Sequence, residues 1–89
     1  MMYKILLSKK SERQLNKISK NDQKKIARSI GELASFSEKT KLRNVKKLKT
    51  PFPGFRKRNG NYRILFEVIE ENKKIIIYKI GHRKDIYRF

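Results

Sequence analysis

Eighty-nine residues make one domain, here 1–89, and a chain of this size buries only roughly 60 to 65% of its unfolded surface, so a second catalytic domain is excluded. Lys and Arg number 25 against 8 Asp and Glu, a formal charge of +17 that exceeds what solubility requires and costs stability through self-repulsion. Such an excess expects a polyanion, whether nucleic acid, an anionic membrane surface or an acidic protein, while the absence of cysteine excludes disulfides, thiolate metal sites and thiol nucleophiles.

The N-terminal "MMYKILLSKK" lacks the order of a secretory signal, and no stretch approaches the roughly 20 apolar residues of a membrane span, so a cytosolic protein is expected. Tyr3, Ile5 and Leu7 alternate with Lys4 and Leu6 and predict a short half-buried strand. Ser8 is positioned to cap a helix over residues 9–19 whose narrow apolar stripe is Leu15 and Ile18, and "SKND" interrupts it with turn formers. A second helix follows, with Asp22 as its expected N-cap and Ile26, Ile30 and Leu33 as its core face; the two should form an antiparallel hairpin.

Six of the eleven residues from Lys39 to Lys49 are basic, and Leu42, Val45 and Leu48 recur at every third position, which reads as an irregular connector pinned by three apolar side chains. Pro51 and Pro53 in "TPFPG" forbid a continuing helix. Asn59-Gly60 is a type I′ hairpin signal, Tyr62 to Ile69 is strand-like, "EEN" turns the chain, and Lys73 to Ile80 contains "IIIY", an apolar run suited to a central strand. The order βααβββ is that of an α+β domain, with a helical hairpin on one face of a small, mainly antiparallel sheet.

The segment "FRKRNGNYR", 55–63, crowds four cations around a tight turn. Because side chains alternate along a strand, a two-residue loop at 59–60 opposes Arg56 to Arg63, and one at 60–61 opposes Arg58 to Arg63. Either register puts Arg56, Arg58, Arg63 and Leu65 on one face and Phe55, Tyr62, Ile64, Phe66 and Val68 on the other, apolar one, while Lys57 leaves the arginines for what reads as a frayed strand edge. Like charges opposed across a hairpin destabilise it, and the sequence offers no acid between Lys39 and Phe66 to compensate. An anionic ligand would turn that cost into binding, and guanidinium matches phosphate oxygens bidentately. The C-terminal "IGHRKDIYRF" adds His82, Arg83 and Tyr87 at a strand end expected to lie beside the hairpin, within reach of the same face.

"GFRKRNGNYRILFEV", 54–68, followed by "KIIIYKIGHRKDIY", 74–87, resembles the signature of the RelE/ParE toxin superfamily, and "NVKKLKTP", 44–51, resembles its basic approach to the hairpin; "IGHRKDIY" is more like the RelE branch. The resemblance implies a messenger-RNA endonuclease that cuts on the ribosome and is silenced by a small acidic antitoxin, RelB-like or other. It implies intramolecular phosphoryl transfer by the ribose 2′-hydroxyl, with neither metal nor small-molecule cofactor. Arg56, Arg58, Lys46, Lys47 and Lys49 would hold the RNA backbone, and Arg63 and Arg83 would stabilise the phosphorane. His82 and Tyr87 would share acid and base work, in an order the sequence does not assign. The best-known RelE type carries lysines where this chain has Arg56 and Arg58, and arginine hardly deprotonates. Two other functions fit the same features: a ParE-like toxin that inhibits DNA gyrase by protein contact, and a basic nucleic-acid-binding module without catalysis.

Overall fold

The computed structural model describes residues 2–37, 44–49 and 51–88. Strand β1, Lys4–Leu7, leads into helices α1, Lys9–Asn16, and α2, Lys20–Glu32, which ends in a 3-10 turn, Leu33–Ser35. Strands β2, Val45–Lys47, β3, Phe55–Asn59, β4, Tyr62–Ile69, and β5, Lys74–His82, complete a five-stranded sheet of order β1-β5-β4-β3-β2. Only β1 runs parallel to its neighbour, so the expected α+β architecture, with helices on one face of a mainly antiparallel sheet, is present.

Local chemistry sets the helix ends. The Ser8 hydroxyl accepts from the Ser11 N–H at 3.1 Å and caps α1 as expected. At α2 the cap is Ser19, whose hydroxyl accepts from the Asp22 N–H at 3.4 Å, and not Asp22 itself. Both residue types cap well, so the earlier one starts the helix and leaves the Asp22 carboxylate in the first turn, where it still faces the positive end of the dipole. The Gln23 amide donates to the carbonyls of Ile18 at 2.7 Å and Asn16 at 3.3 Å, satisfying backbone acceptors at the end of α1 and fixing the turn between the helices.

The core lies between helices and sheet. Ile26, Ile30, Leu33 and Phe36 meet Ile64, Phe66, Ile75, Ile77 and Ile80, with Tyr3, Ile5, Leu7, Leu15 and Ile18 half-buried around them. Phe36 anchors one end, edge-on to Tyr3, Phe55 and Phe66. Where β1 stops, α1 takes over its edge of β5: the Ser11 hydroxyl donates to the Ile77 carbonyl at 2.8 Å, and the Ile80 N–H donates to the Gln14 side chain at 2.8 Å. Buried backbone groups at that edge thereby keep partners.

Two further readings of the sequence change. Residues 45–47, expected as irregular connector, form an edge strand, because Lys46 and Lys47 pair with Arg56 and Phe55 of β3. Val45 and Leu48 are half-buried as expected, and Leu42 lies outside the described residues. The hairpin loop is Gly60-Asn61, since Asn59 pairs with Tyr62. Gly60 has φ of 57° and Asn61 is not among the residues with positive φ, which fits a type II′ turn and not the type I′ turn of an Asn-Gly loop. Asn59 is drawn into the sheet because its amide donates to the Lys25 carbonyl at 3.1 Å and the Ser29 hydroxyl at 2.5 Å, tying the hairpin to α2.

Candidate functional site

Strand register assembles the basic face. Arg58 stands opposite Arg63, and Arg63 opposite Gly81; in the next row Lys46, Arg56, Leu65 and Lys79 lie side by side across four strands. Arg56, Arg58 and Arg63 therefore share the face away from the helices, as the alternation of the hairpin requires. Between Leu65 and Phe66 the register with β5 shifts by one residue, Leu65 facing Lys79 and Phe66 facing Ile77, so Tyr78 has no opposite number. This β-bulge carries Lys79 onto the basic face, a position that no local pattern in the sequence announces.

The C-terminal segment folds back over this face. The Arg83 N–H donates to the Asn61 carbonyl of the hairpin turn at 2.7 Å, and the N–H groups of Asp85 and Ile86 both donate to the His82 carbonyl. Ile86 is buried and packs over Gly81, where an added Cβ would sit 3.4 Å from its Cδ1. Leu65 is buried on the same side, and both stand apart from the main core, so the basic face has a small apolar floor of its own. Tyr87 remains 40% exposed at its rim, edge-on to Phe52 with ring centroids 5.5 Å apart.

Arg63 is the centre of the arrangement. One of its guanidinium nitrogens donates to the carbonyls of Gly60 and Tyr62, both at 2.9 Å. Burial first, then the positive charges of Arg56, Arg58 and Arg83, hold its pKa below the ordinary arginine value, while Tyr87 acts in the opposite direction. Four of the residues singled out from the sequence, Arg56, Arg58, Arg83 and Tyr87, thus act on the charge of a fifth. Four guanidiniums converging with a phenol can bind and neutralise a phosphodiester, and the phenol adds a group that can give up a proton.

Other expectations separate. Lys46 joins the arginine face opposite Arg56, whereas Lys47 pairs with Phe55 and so belongs to the helix side; Lys49 is exposed beyond the strand. His82, expected to reach the arginines, shares the face of Tyr62, its register partner, and their rings meet edge-on at 6.0 Å. Its Nδ1 accepts the Lys84 N–H at 3.2 Å, which makes it a cap for the following turn. The correction follows from the period of two: Gly81, one residue earlier, takes the place opposite Arg63. Lys57 is buried beneath the hairpin at 2.8 Å from Glu32 of α2, instead of fraying at an edge. A hollow of about 510 Å³ lined by Ser29, Glu32, Lys57 and Asn59 belongs to that helix side, with Arg58 at its rim.

Residues 5–87 match the family described as the ParE toxin of the type II toxin-antitoxin system. The chain belongs to the RelE/ParE toxin superfamily. It is 40% identical to Toxin RelG of Mycobacterium tuberculosis over 48 residues, 53% of this chain and 55% of that protein, so it spans about half the length of that curated relative. Among solved structures, the RelB-RelE antitoxin-toxin complex of Methanococcus jannaschii is similar at 35% identity and a TM-score of 0.70, covering 92% of this chain and 94% of that one. The toxin-antitoxin complex RelBE2 of Mycobacterium tuberculosis is similar at 25% identity and a TM-score of 0.76, covering 93% and 100%. These likenesses put the chain with the RelE-like branch of the superfamily.

Proposed function

We propose that this protein is a cytoplasmic toxin that cuts messenger RNA on the ribosome and is restrained by a small acidic antitoxin. The observation that carries the reading is the strand register that sets Arg56, Arg58 and Arg63 on one face the helices leave open, with Arg83 bonded to the hairpin turn beside them and Tyr87 at the rim. Arg56, Arg58 and Lys46 grip successive phosphates of a single strand. The ribose 2′-hydroxyl passes its proton to water as its oxygen attacks the adjacent phosphorus, the bond to the 5′-oxygen breaks, and a 2′,3′-cyclic phosphate remains. Arg63 and Arg83 neutralise charge on the non-bridging oxygens, a role in which one well-placed donor is worth about 3 kcal/mol. Tyr87 gives its phenolic proton to the departing 5′-oxygen. His82, committed to the Lys84 N–H on the other face, takes no part. Among the described residues, a single phenol set among arginines is a catalytically sparse site, which fits reliance on the ribosome to align the RNA.

The antitoxin follows from charge and from company. A chain at +17 gains stability from an acidic partner, and two structural neighbours are toxin-antitoxin complexes. Expression in a bacterial host, with primer extension across a translated message, tests the reading. Cuts in phase with codons are expected, and growth arrest with intact message would overturn it.

A second reading rests on the matched family itself, whose description names ParE. In it the basic face contacts DNA gyrase and performs no chemistry. Arrest with a DNA-damage response and uncut message would select it.

A further inference from the structure

The bulge at Tyr78 and the loop at residues 51–54 do more than shape the sheet. The Tyr78 hydroxyl donates to the Pro53 carbonyl at 2.8 Å, and the Leu48 N–H donates to the Gly54 carbonyl at 2.9 Å, so the loop is anchored at two points. Gly54 is pressed against β4, where a Cβ would lie 2.1 Å from the Phe66 carbonyl oxygen. Phe52 projects from this anchored loop. Its ring meets Tyr87 edge-on, and the Lys79 ammonium stands 5.7 Å from its centroid. The same ammonium donates to the Arg88 carbonyl at 2.5 Å, immediately after Tyr87, while Ile86, immediately before it, is buried.

Tyr87 is thus held at three points: through Ile86, through the Arg88 carbonyl and against the Phe52 ring. We propose that Phe52 and Lys79 are positioning residues, a brace that fixes the direction of the Tyr87 phenol relative to Arg63. The reasoning is geometric. Tyr87 lies on a turn outside the sheet and is partly exposed, with no strand ladder to fix it, and a proton donor must stay within hydrogen-bond reach of its acceptor. The ring edge of Phe52 restricts the Tyr87 side chain, and Lys79 couples that ring to the backbone one residue on. Neither residue needs to touch RNA. The inference rests on the role given to Tyr87 above.

The experiment has two arms. In the first, purified protein cleaves ribosome-bound message in single turnover, comparing wild type with Phe52→Ala, Phe52→Tyr, Lys79→Met, Tyr87→Phe and the doubles with Tyr87→Phe. A misplaced catalytic group costs up to about a hundredfold, so Phe52→Ala should slow cleavage about tenfold to a hundredfold with ribosome affinity held within about twofold. Phe52→Tyr, which keeps the ring, should restore most of the rate. Phe52→Ala or Lys79→Met should add less than about twofold to Tyr87→Phe, because the brace acts through the phenol. Losses that multiply, or a loss confined to affinity, would overturn the proposal. The second arm follows the Tyr87 ring resonances of ¹³C-tyrosine-labelled protein, wild type against Phe52→Leu and Lys79→Met. Both variants should shift and broaden them, and unchanged resonances would overturn the brace whether or not the protein cleaves RNA. If wild type fails to cleave while the resonances do move, the assignment of Tyr87 to catalysis falls and the positioning proposal falls with it.

Discussion

Arg58 and Arg63 stand directly opposite one another across the β3-β4 hairpin, on the face the helices leave open. Like charges so placed destabilise a hairpin by a few tenths of a kcal/mol, roughly 0.2 to 1, and ionic screening reduces the effect. Arg58→Gln should therefore raise stability slightly in low salt and leave it unchanged at high salt, while weakening RNA binding. Urea unfolding at two ionic strengths, beside titration of a short single-stranded RNA, checks both signs.

The buried cation of the hairpin behaves differently. Lys57 is 5% exposed and lies 2.8 Å from Glu32, whose side chain is 56% exposed. Glu32→Gln should cost about 1 to 2 kcal/mol, less than the loss of a fully buried partner because water reaches one side of the pair. Lys57→Met, which fills the same space without charge, should cost less than Glu32→Gln. Chemical denaturation of the two variants orders them.

Gly54 combines φ of 85° with a Cβ position 2.1 Å from the Phe66 carbonyl oxygen. Gly54→Ala should destabilise the protein by more than about 2 kcal/mol, since both the backbone and its neighbour must move. Gly31, where an added Cβ meets nothing within 4 Å, is the control: Gly31→Ala in α2 should stabilise by up to about 1 kcal/mol.

Acid sensitivity should be concentrated at the end of the sheet away from the arginines. Glu70 accepts from the Tyr3 hydroxyl and pairs with Lys73 at 3.4 Å, and these contacts, the Tyr3 bond first, hold its pKa below the ordinary value of 4.5. A carboxylate depressed in the folded state binds fewer protons there than in the unfolded chain. Its stabilisation is therefore complete above the ordinary value and is lost as pH falls through the lower folded value. Glu70→Gln should flatten the fall in thermal midpoint between about pH 5 and pH 3, which a melting series in acetate and citrate measures.

How far the sequence reached depends on the range of the interaction involved. The alternation of Arg56, Arg58, Arg63 and Leu65 was readable because side-chain parity is a local property that holds for either two-residue loop. The loop itself was not, because Asn59 is claimed by Lys25 and Ser29 of α2, and nothing near Asn59 in the chain signals that competition. The same parity puts Lys57 on the correct face, but its burial depends on Glu32, 25 positions earlier. His82 illustrates a different limit. It lies next to Arg83 in sequence, yet the pleat sends it to the other side from Gly81, the residue opposite Arg63. Lys79 and Phe52 carry no local signal, since their placement depends on the bulge and the back-folded C-terminal segment, both of which are tertiary. The pairing of β2 with β3 likewise joins segments across the proline-containing loop, beyond what a three-residue stretch can advertise.

The central claim, that the convergent arginines and Tyr87 perform phosphoryl transfer on ribosome-bound message, is tested most directly with purified protein on ribosomes programmed with a defined message. Wild type should leave a 2′,3′-cyclic phosphate at a codon-fixed position, and Arg63→Ala and Arg83→Ala should each slow the cut by about a hundredfold or more, with ribosome binding largely kept. His82→Gln should cut at nearly the wild-type rate. An intact message with wild-type protein, or arginine variants that lose only affinity, would contradict the account.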